Sequence, residues 1–236
     1  MRIWDINPGY LNRQSLLGEH RELHGIESIL TNKKKGYSHH PETLRWAGFG
    51  WALKIRHNLL ASEMKLRGYT EKSPLQSMEN TGKWPNIYID DPASQFNILK
   101  EKYIEKEPGR IPLPFNSQIL WSQHKYSVLA RDPMLYREIG RMSSGNHSEH
   151  YFKQLSLTVT ETLRRIPEKG GILNSLQHMW GHVREFSDEK GDFPQTLSLS
   201  QLLGRIQEIV LKEGEKYLIT STSLSELEVW VRYHKA

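Results

Sequence analysis

Four polar residues near the start of the chain have types and spacing suited to chemistry on a phosphate-containing partner. Arg2 is followed by Gln14 and by the adjacent pair Arg21 and Glu22. A guanidinium group binds phosphate, and a carboxylate can stabilise a developing positive charge or move a proton. Taken alone, an Arg-Glu pair on a basic helix is more typical of a solvated surface, so both interpretations stay open at this point.

The net charge of the chain is concentrated in its first third. The 236 residues carry 32 Lys+Arg and 27 Asp+Glu, a net charge of +5. Residues 1–72 hold 12 basic and 7 acidic side chains, and the remaining residues hold 20 of each. A local basic surplus favours a polyanionic partner such as nucleic acid, although an ordinary solvated surface can have the same composition.

The composition also excludes several kinds of site. The chain has no cysteine, so disulfides, Cys-ligated zinc or iron–sulfur clusters and a cysteine nucleophile are ruled out. Charges interrupt the apolar stretches every few residues, and the N-terminal residues Met-Arg-Ile-Trp-Asp lack a signal-peptide pattern. We therefore expect a cytoplasmic protein without a membrane span. The sequence makes no prediction about oligomeric state.

The apolar periodicity predicts an all-α protein. Asn12 is predicted to cap a first helix that ends before Lys33, and a second long helix is predicted from about 43 to 67, ending at Gly68. Further helices are predicted at about 93–106, 118–130, 133–142, 148–165, 172–186, 199–212 and 224–233, with interruptions that include 143–147 and 188–194.

A proline-rich segment divides these helices into two groups. Glu107-Pro-Gly-Arg-Ile-Pro-Leu-Pro-Phe115 places three prolines and a glycine within nine residues, which no helix interior tolerates. The sequence therefore predicts two mainly helical domains, residues 1–106 and 117–236, joined by a Pro-rich linker at residues 107–116.

The order of short motifs in the first domain resembles that of the pyrimidine-dimer DNA glycosylase family. The motifs are Met1-Arg-Ile-Trp-Asp-Ile, Leu11-Asn-Arg-Gln, Glu19-His-Arg-Glu-Leu23, and Lys65-Leu-Arg-Gly-Tyr69 at the end of a long helix preceded by Pro41. The resemblance covers residues 1–75 well and residues 76–106 loosely. It implies a compact all-α domain in which the α-amine of the chain is the nucleophile and a glutamate on the first long helix supports the chemistry.

Carried over by position, the resemblance implies that Met1 supplies the amine and that Glu22 is the supporting carboxylate. Because Arg2 follows Met1, the methionine should be retained, which keeps the amine in the family's register. An α-amine has a pKa of about 7.7–8.0 against about 10.4 for lysine, so a useful fraction is unprotonated at neutral pH. Attack on the sugar carbon displaces the base and leaves an imine, and β-elimination then cleaves the strand.

The same resemblance implies that the partner is double-stranded DNA carrying damage. Candidate DNA-binding residues are Arg2, Gln14 and Arg21, which match family residues near the site, the predicted loop lysines Lys33, Lys34 and Lys35, and Tyr37, His40 and Arg45, which fit a Tyr-x-x-His-Pro-x-x-x-Arg pattern of bacterial members. Loop ammonium groups neutralise phosphates. A lysine run is equally common as a solubilising turn, so that alternative stays open.

The second domain resembles the YbgA-like domain of unknown function over residues 117–225. His-Lys-Tyr at 124–126 and Asn-Ser-Leu-Gln-His at 174–178 carry the resemblance. The residues predicted to line a polar pocket or a nucleic-acid surface are His124, Lys125, Tyr126, Asn174 and His178. Hydrogen-bonded structural residues would have the same pattern. His178 and His182 have a spacing that can bind a metal, but no closed ligand set is evident, and we predict neither a metal nor a cofactor.

The sequence therefore predicts a DNA repair glycosylase with abasic-site lyase activity, acting on pyrimidine dimers or related lesions. Two alternatives remain open. One is a non-catalytic nucleic-acid-binding or interaction protein on the same fold. The other is an enzyme of nucleotide or modified-RNA metabolism with its site in the second domain.

Overall fold

The computed structural model of the protein describes residues 1–143, 145, 148–187 and 196–234. The chain divides into two units, Met1–Gly109 and Arg110–Ala236, and the boundary falls inside the proline-rich segment 107–116. The described residues form α-helices and short 3-10 helices without strands, so the protein is all-α as predicted. Among these helices, none has both the length and the apolar character needed to cross a bilayer.

The first unit is built mainly from four α-helices. Its elements are a 3-10 helix at Pro8–Tyr10, α1 at Arg13–Asn32, α2 at Pro41–Trp46, α3 at Gly50–Leu66 and α4 at Pro92–Lys102. Helix α1 packs against α3 and α2. It buries Leu16, Leu23 and Ile26 completely, and this apolar face fixes the rotation of α1 about its own axis.

Two predicted helix boundaries in this unit are confirmed. The side chain of Asn12 accepts a hydrogen bond of 2.9 Å from the N–H of Ser15 and so caps the start of α1. Gly68 follows α3 with φ +82°, a left-handed conformation that glycine adopts without steric cost at the end of a helix.

The second predicted helix, 43–67, was wrong as a single element. Helix α2 ends at Trp46 and α3 begins at Gly50. Gly48, between them, has φ +79°, which no α-helix accommodates. The N–H of Trp51 donates to the carbonyl of Glu79 over 3.0 Å. The break is thus stabilised by a loop that lies well beyond it in the sequence.

The second unit has α5 as its central helix. Its elements among the described residues are α5 at Ser117–Leu129, α6 at Pro133–Ser143, α7 at Glu149–Arg164, α8 at Lys169–Val183, a 3-10 helix at Arg184–Phe186, α9 at Leu199–Glu213, α10 at Lys216–Ile219 and α11 at Ser223–Tyr233. Helix α5 packs against α6, α7, α8 and α11. The short α10 was not predicted, because four residues are too few to show periodicity. Residues 144, 146, 147 and 188–194 of the predicted interruptions, and residues 235–236, lie outside the described residues.

Candidate functional site

Side chains from three helices bind the backbone of the N-terminal segment, residues 1–6. The hydrogen bonds run from the N–H of Arg2 to Glu22, of Ile3 to Glu42 (3.2 Å), of Trp4 to Glu19 (3.2 Å), and of Asp5 and Ile6 both to Gln95 (2.8 and 3.3 Å). Backbone N–H groups removed from water need acceptors, and here carboxylates and an amide replace the missing secondary structure. The segment is therefore fixed relative to α1, α2 and α4.

Glu22 lies beside the start of the chain. Its Oε2 accepts the hydrogen bond from the N–H of Arg2. The α-nitrogen of Met1 is separated from that amide nitrogen by only two carbon atoms, so the two nitrogens lie within about 4 Å of each other. The structure thus brings the two residues predicted to be catalytic, Met1 and Glu22, within a few ångströms, and both are half-buried.

Arg2 is anchored at the same place by a residue that the sequence did not reveal. Its Nη1 lies 2.6 Å from Oδ2 of Asp90, and its guanidinium lies 5.0 Å from the ring centre of Trp4. The Arg2 side chain is still 38% exposed. No local pattern links residues 2 and 90, because they meet only through the fold.

Arg45 is buried next to the N-terminal segment, with 2% of its side chain exposed. Its guanidinium donates to Asp5 (2.8 Å), to Glu42 (3.0 Å) and to the carbonyl of Ile3 (3.0 Å). With three acceptors inside the protein, the geometry favours a positioning role over the site-lining DNA contact that the sequence predicted.

A second buried arginine holds the other end of the segment. Arg56 makes a bidentate ion pair with Glu19 at 2.7 and 2.9 Å, and it donates to the carbonyl of Ile6 at 2.8 Å. Burial raises the pKa of Glu19 to about 7, although Arg56 opposes this shift. Sequence reasoning missed both residues. Each is a charged residue on the otherwise apolar side of its helix, and this pattern could have indicated a buried ion pair.

The outer face of α1 is smooth. Gln14 and Arg21 are exposed, and Gly18 and Gly25 lie in the same stripe, since positions 14, 18, 21 and 25 span about 60° of the helix circumference. A Cβ added at either glycine would meet no neighbouring atom within 4 Å. Glu22 lies at the edge of this stripe, so a large partner can approach the backbone of α1 closely beside the carboxylate.

The predicted loop lysines, Lys33, Lys34 and Lys35, come directly after α1 in the sequence. Lys33 ends α1 in a left-handed conformation with φ +50°, and all three lysines, 33–35, are exposed. Tyr37 is 70% exposed. His40 accepts a hydrogen bond of 3.2 Å from the N–H of Glu42, which makes it the N-cap of α2.

Three histidines and a glutamate form another cluster in the first unit. They are His20 and His24 on α1, His57 on α3, and Glu71 in the segment after α3, and one potential ligand atom from each lies within 4.8 Å of the others. These four residues were not predicted to lie together. The spacing of His20 and His24, four apart on a helix, was the signal that could have found it.

The residues predicted as a pocket in the second domain do not all share one face of α5. His124 is buried, its Nδ1 lies 2.9 Å from the carbonyl oxygen of Leu120, and burial lowers its pKa to about 4. Tyr126, two residues later, projects about 160° away around the helix axis. Asn174 is half-buried and His178 exposed on α8.

Tyr126 instead belongs to a cluster of aromatic and cationic side chains. Its hydroxyl lies 2.6 Å from Nε2 of His182, and its ring stacks at 6.2 Å on that of His178. Tyr217 stacks on His182 at 4.8 Å, and the ammonium of Lys125 lies 4.7 Å from the ring centre of Tyr217. Burial lowers the pKa of Lys125 and raises that of Tyr126. Tyr217 and His182 were not predicted as members.

Comparison with known protein families gives one match in each unit. Residues 1–77 match the family described as pyrimidine dimer DNA glycosylase, and residues 125–226 match a family described as protein of unknown function (DUF1722). No curated protein and no solved structure gives a significant match to the chain. The N-terminal part of this protein therefore resembles the pyrimidine dimer DNA glycosylases, and its C-terminal part resembles a family of unknown function.

Proposed function

We propose that this protein is a DNA repair glycosylase with abasic-site lyase activity, which acts on pyrimidine dimers or related base lesions through the α-amine of Met1. The observation that carries the proposal is the hydrogen bond from the N–H of Arg2 to Glu22. It puts a carboxylate beside the amine that the glycosylase chemistry requires, in a region that matches the family.

The chemistry uses these two groups, the substrate and water, which protonates the departing base and later hydrolyses the imine. The unprotonated amine forms a bond to the sugar carbon C1′ as the bond from C1′ to the base breaks, and the base leaves with the bonding electrons. Opening of the sugar ring gives an imine between C1′ and the nitrogen of Met1. The carboxylate of Glu22 stabilises the positive charge at this centre and removes a proton from C2′. Elimination of the 3′ phosphate cleaves the strand, and hydrolysis of the imine restores the amine.

The fixed N-terminal segment supports this role. Chain termini are usually poorly ordered unless they are bound, and a mobile amine would lose entropy when it reached the sugar carbon. Here Glu42, Glu19 and Gln95 bind the N–H groups of residues 3–6, and Arg45 and Arg56 bind two of its carbonyls. The amine is thereby held close to Glu22 before any substrate arrives.

The distribution of charge supports a DNA partner. Four of the seven acidic residues in positions 1–72 have their side chains inside the unit, paired with arginines 45, 56 and 67, and these are Asp5, Glu19, Glu42 and Glu63. Setting aside these four carboxylates and their three arginines leaves 9 basic and 3 acidic residues in this region, a surplus of 6 against the 5 of its full composition. The smooth face of α1 and lysines 33–35 extend this surface from Glu22, and DNA phosphates bind such surfaces.

Borohydride trapping tests the proposal. Untagged protein, whose first residue is verified as Met1 by intact mass, is incubated with a duplex that contains one abasic site and is then reduced. We expect a stable adduct on the N-terminal peptide by mass spectrometry, and no adduct on the undamaged duplex. A second duplex with a cyclobutane dimer should have one base of the dimer released from its sugar and then be cleaved.

Two outcomes would overturn the proposal. An adduct mapped to a lysine side chain would exclude Met1 as the nucleophile. Salt-sensitive DNA binding without any adduct would indicate a nucleic-acid-binding protein on the same fold.

A further inference from the structure

The cluster of His20, His24, His57 and Glu71 lies outside the site proposed above. The imidazole rings are mutually packed, with ring centres 4.8 Å apart for His20–His24 and for His20–His57, and 5.0 Å apart for His24–His57. The carboxylate of Glu71 completes the group, with its Oε1 4.0 Å from Nε2 of His20 and 3.9 Å from Nε2 of His57. Four potential ligands thus converge from two helices and the segment after α3.

The Nε2 atoms of all three histidines are buried and make no hydrogen bond within the described residues. His57 as a whole is only 1% exposed. Buried polar atoms without a partner are uncommon in folded proteins, because each leaves a desolvation cost uncompensated. Three such atoms in one cluster, with a carboxylate beside them, are what a site for a metal ion that accepts their lone pairs would contain.

We propose that His20, His24, His57 and Glu71 bind one divalent transition-metal ion, with Zn²⁺ the ion that the ligands fit best. Imidazole nitrogens and a carboxylate oxygen are ordinary zinc ligands, and four protein ligands make a closed tetrahedral site of the structural type. Neither family description assigns a metal to the protein.

The distances are compatible with such a site after a small contraction. Zinc binds nitrogen and oxygen at about 2.0–2.2 Å, which sets tetrahedral ligand atoms about 3.3 Å apart. The separations of 3.9 and 4.0 Å from Glu71 are within 1 Å of that value. The four candidate ligand atoms lie within 4.8 Å of one another, so metal binding requires them to approach by up to about 1.5 Å.

A backbone hydrogen bond holds Glu71 beside the three histidines. The backbone N–H of Ser73 donates to Oε1 of Glu71 and so holds this carboxylate near the histidines.

The position of the cluster indicates a structural ion. His20 and His24 share one face of α1, whereas Glu22, two residues from each, projects about 160° away around the helix axis. A metal at the cluster would therefore cross-link α1, α3 and the segment that follows α3 from the side of α1 opposite Glu22. It would stabilise the helix that carries Glu22 without taking part in the proposed chemistry.

Metal titration of the full, untagged chain tests this inference. The protein is stripped with a chelator and titrated with Co²⁺, whose visible absorption reports tetrahedral coordination, and then with Zn²⁺ in competition. We expect one equivalent of each metal per chain and a rise in the melting temperature with Zn²⁺. His57→Ala should weaken Zn²⁺ binding by about 100-fold or more, while His39→Ala, which removes an exposed histidine of the same unit, should leave it unchanged.

A second ligand variant is included in case His57→Ala does not fold. Glu71→Gln keeps the size of the side chain and lies outside the helices, so it should fold as the wild type and bind Co²⁺ with an altered spectrum and lower affinity. The inference is overturned if the wild type binds no stoichiometric metal, if both ligand variants bind as the wild type does, or if binding is lost in His182→Ala instead. None of these readouts depends on glycosylase activity.

Discussion

The carboxylate of Glu22 accepts a hydrogen bond from the backbone N–H of Arg2, which lies 20 residues earlier in the chain. Since that N–H belongs to the peptide bond formed by Met1, the contact keeps the terminal nitrogen within about 6–7 Å of the Glu22 carboxylate. Few side chains have such a direct relation to a chain terminus, and the relation leads to two predictions about catalysis.

Removing the negative charge of Glu22 should slow strand cleavage without disrupting the fold. In Glu22→Gln the amide oxygen can still accept the hydrogen bond from Arg2, but the negative charge is lost. We expect the rate of strand cleavage at an abasic site to fall by about 100- to 1000-fold, measured under single-turnover conditions. Glu101→Gln, an exposed position on α4, is the matched control. Equal rates for the two variants would exclude a role for the Glu22 charge.

Adding a residue before Met1 should abolish the borohydride adduct. A single preceding glycine converts the nitrogen of Met1 into an amide and moves the new amine about 3.5 Å along the chain, away from Glu22. The same glycine added after Ala236 should have no effect on trapping. Mass spectrometry of the reduced product gives the yield in each case. Undiminished trapping by the N-terminally extended protein would contradict a nucleophile at this nitrogen.

Removing the lysine loop should weaken DNA binding in a salt-dependent way. Substitution of Lys33, Lys34 and Lys35 by Gln removes three exposed cations, so the slope of log affinity against log salt should become shallower by about 2–3. Fluorescence anisotropy with a labelled duplex at several salt concentrations measures this slope.

The control for the loop variant has the same change of charge elsewhere. The residues to replace together are Lys153, Lys169 and Lys212, all exposed in the second unit. If the two triple variants show the same slope, the loop is a solubilising turn and does not bind DNA.

The buried His124 should make the protein less stable in acid. Burial lowers the pKa of His124 to about 4, so between about pH 6.5 and 4 the unfolded chain binds a proton there and the folded chain does not. The free energy of unfolding therefore decreases as the pH falls through this window, with a contribution from His124 of up to about 3 kcal/mol. Urea denaturation across the window measures this decrease.

Variants separate His124 from the other histidines. His124→Gln cannot titrate and should show a shallower decrease than the wild type, whatever its stability at neutral pH. His150→Gln, at an exposed position on α7, should follow the wild-type curve. A slope for His124→Gln as steep as that of the wild type would rule out His124 as the source.

The sequence was sufficient where the determining interactions are local. Asn12 and Gly68 act on residues within one helical turn, and their roles were predicted. The break between α2 and α3 was missed because Gly48 alone is ambiguous, and what holds the break is a hydrogen bond from Trp51 to the distant Glu79. Local patterns cannot report a partner that only the fold brings near.

The residues of the candidate site also divide into those that the sequence could predict and those whose partners lie far away in the chain. Met1 and Glu22 were predicted because their positions match a known family, whereas Asp90, which holds Arg2, and Gln95, which holds Asp5 and Ile6, lie 88 to 90 positions away from their partners. The histidine cluster has one local element, His20 with His24, and two remote ones. The local pair was visible in the sequence but was not recognised, and His57 and Glu71 became relevant only when α3 packed against α1.

The hydrogen bonds that hold residues 2–6 also imply an order of events during translation. Gln95, the last of the partners to be synthesised, is added 90 residues after Asp5, which at cellular rates of elongation is a delay on the order of 10 s. Throughout that time the segment lacks part of its binding site and is open to the enzymes that deformylate or trim a nascent chain. Folding of the first unit then buries Ile3 and Trp4, so we expect deformylation of Met1 to be fastest before that unit is complete.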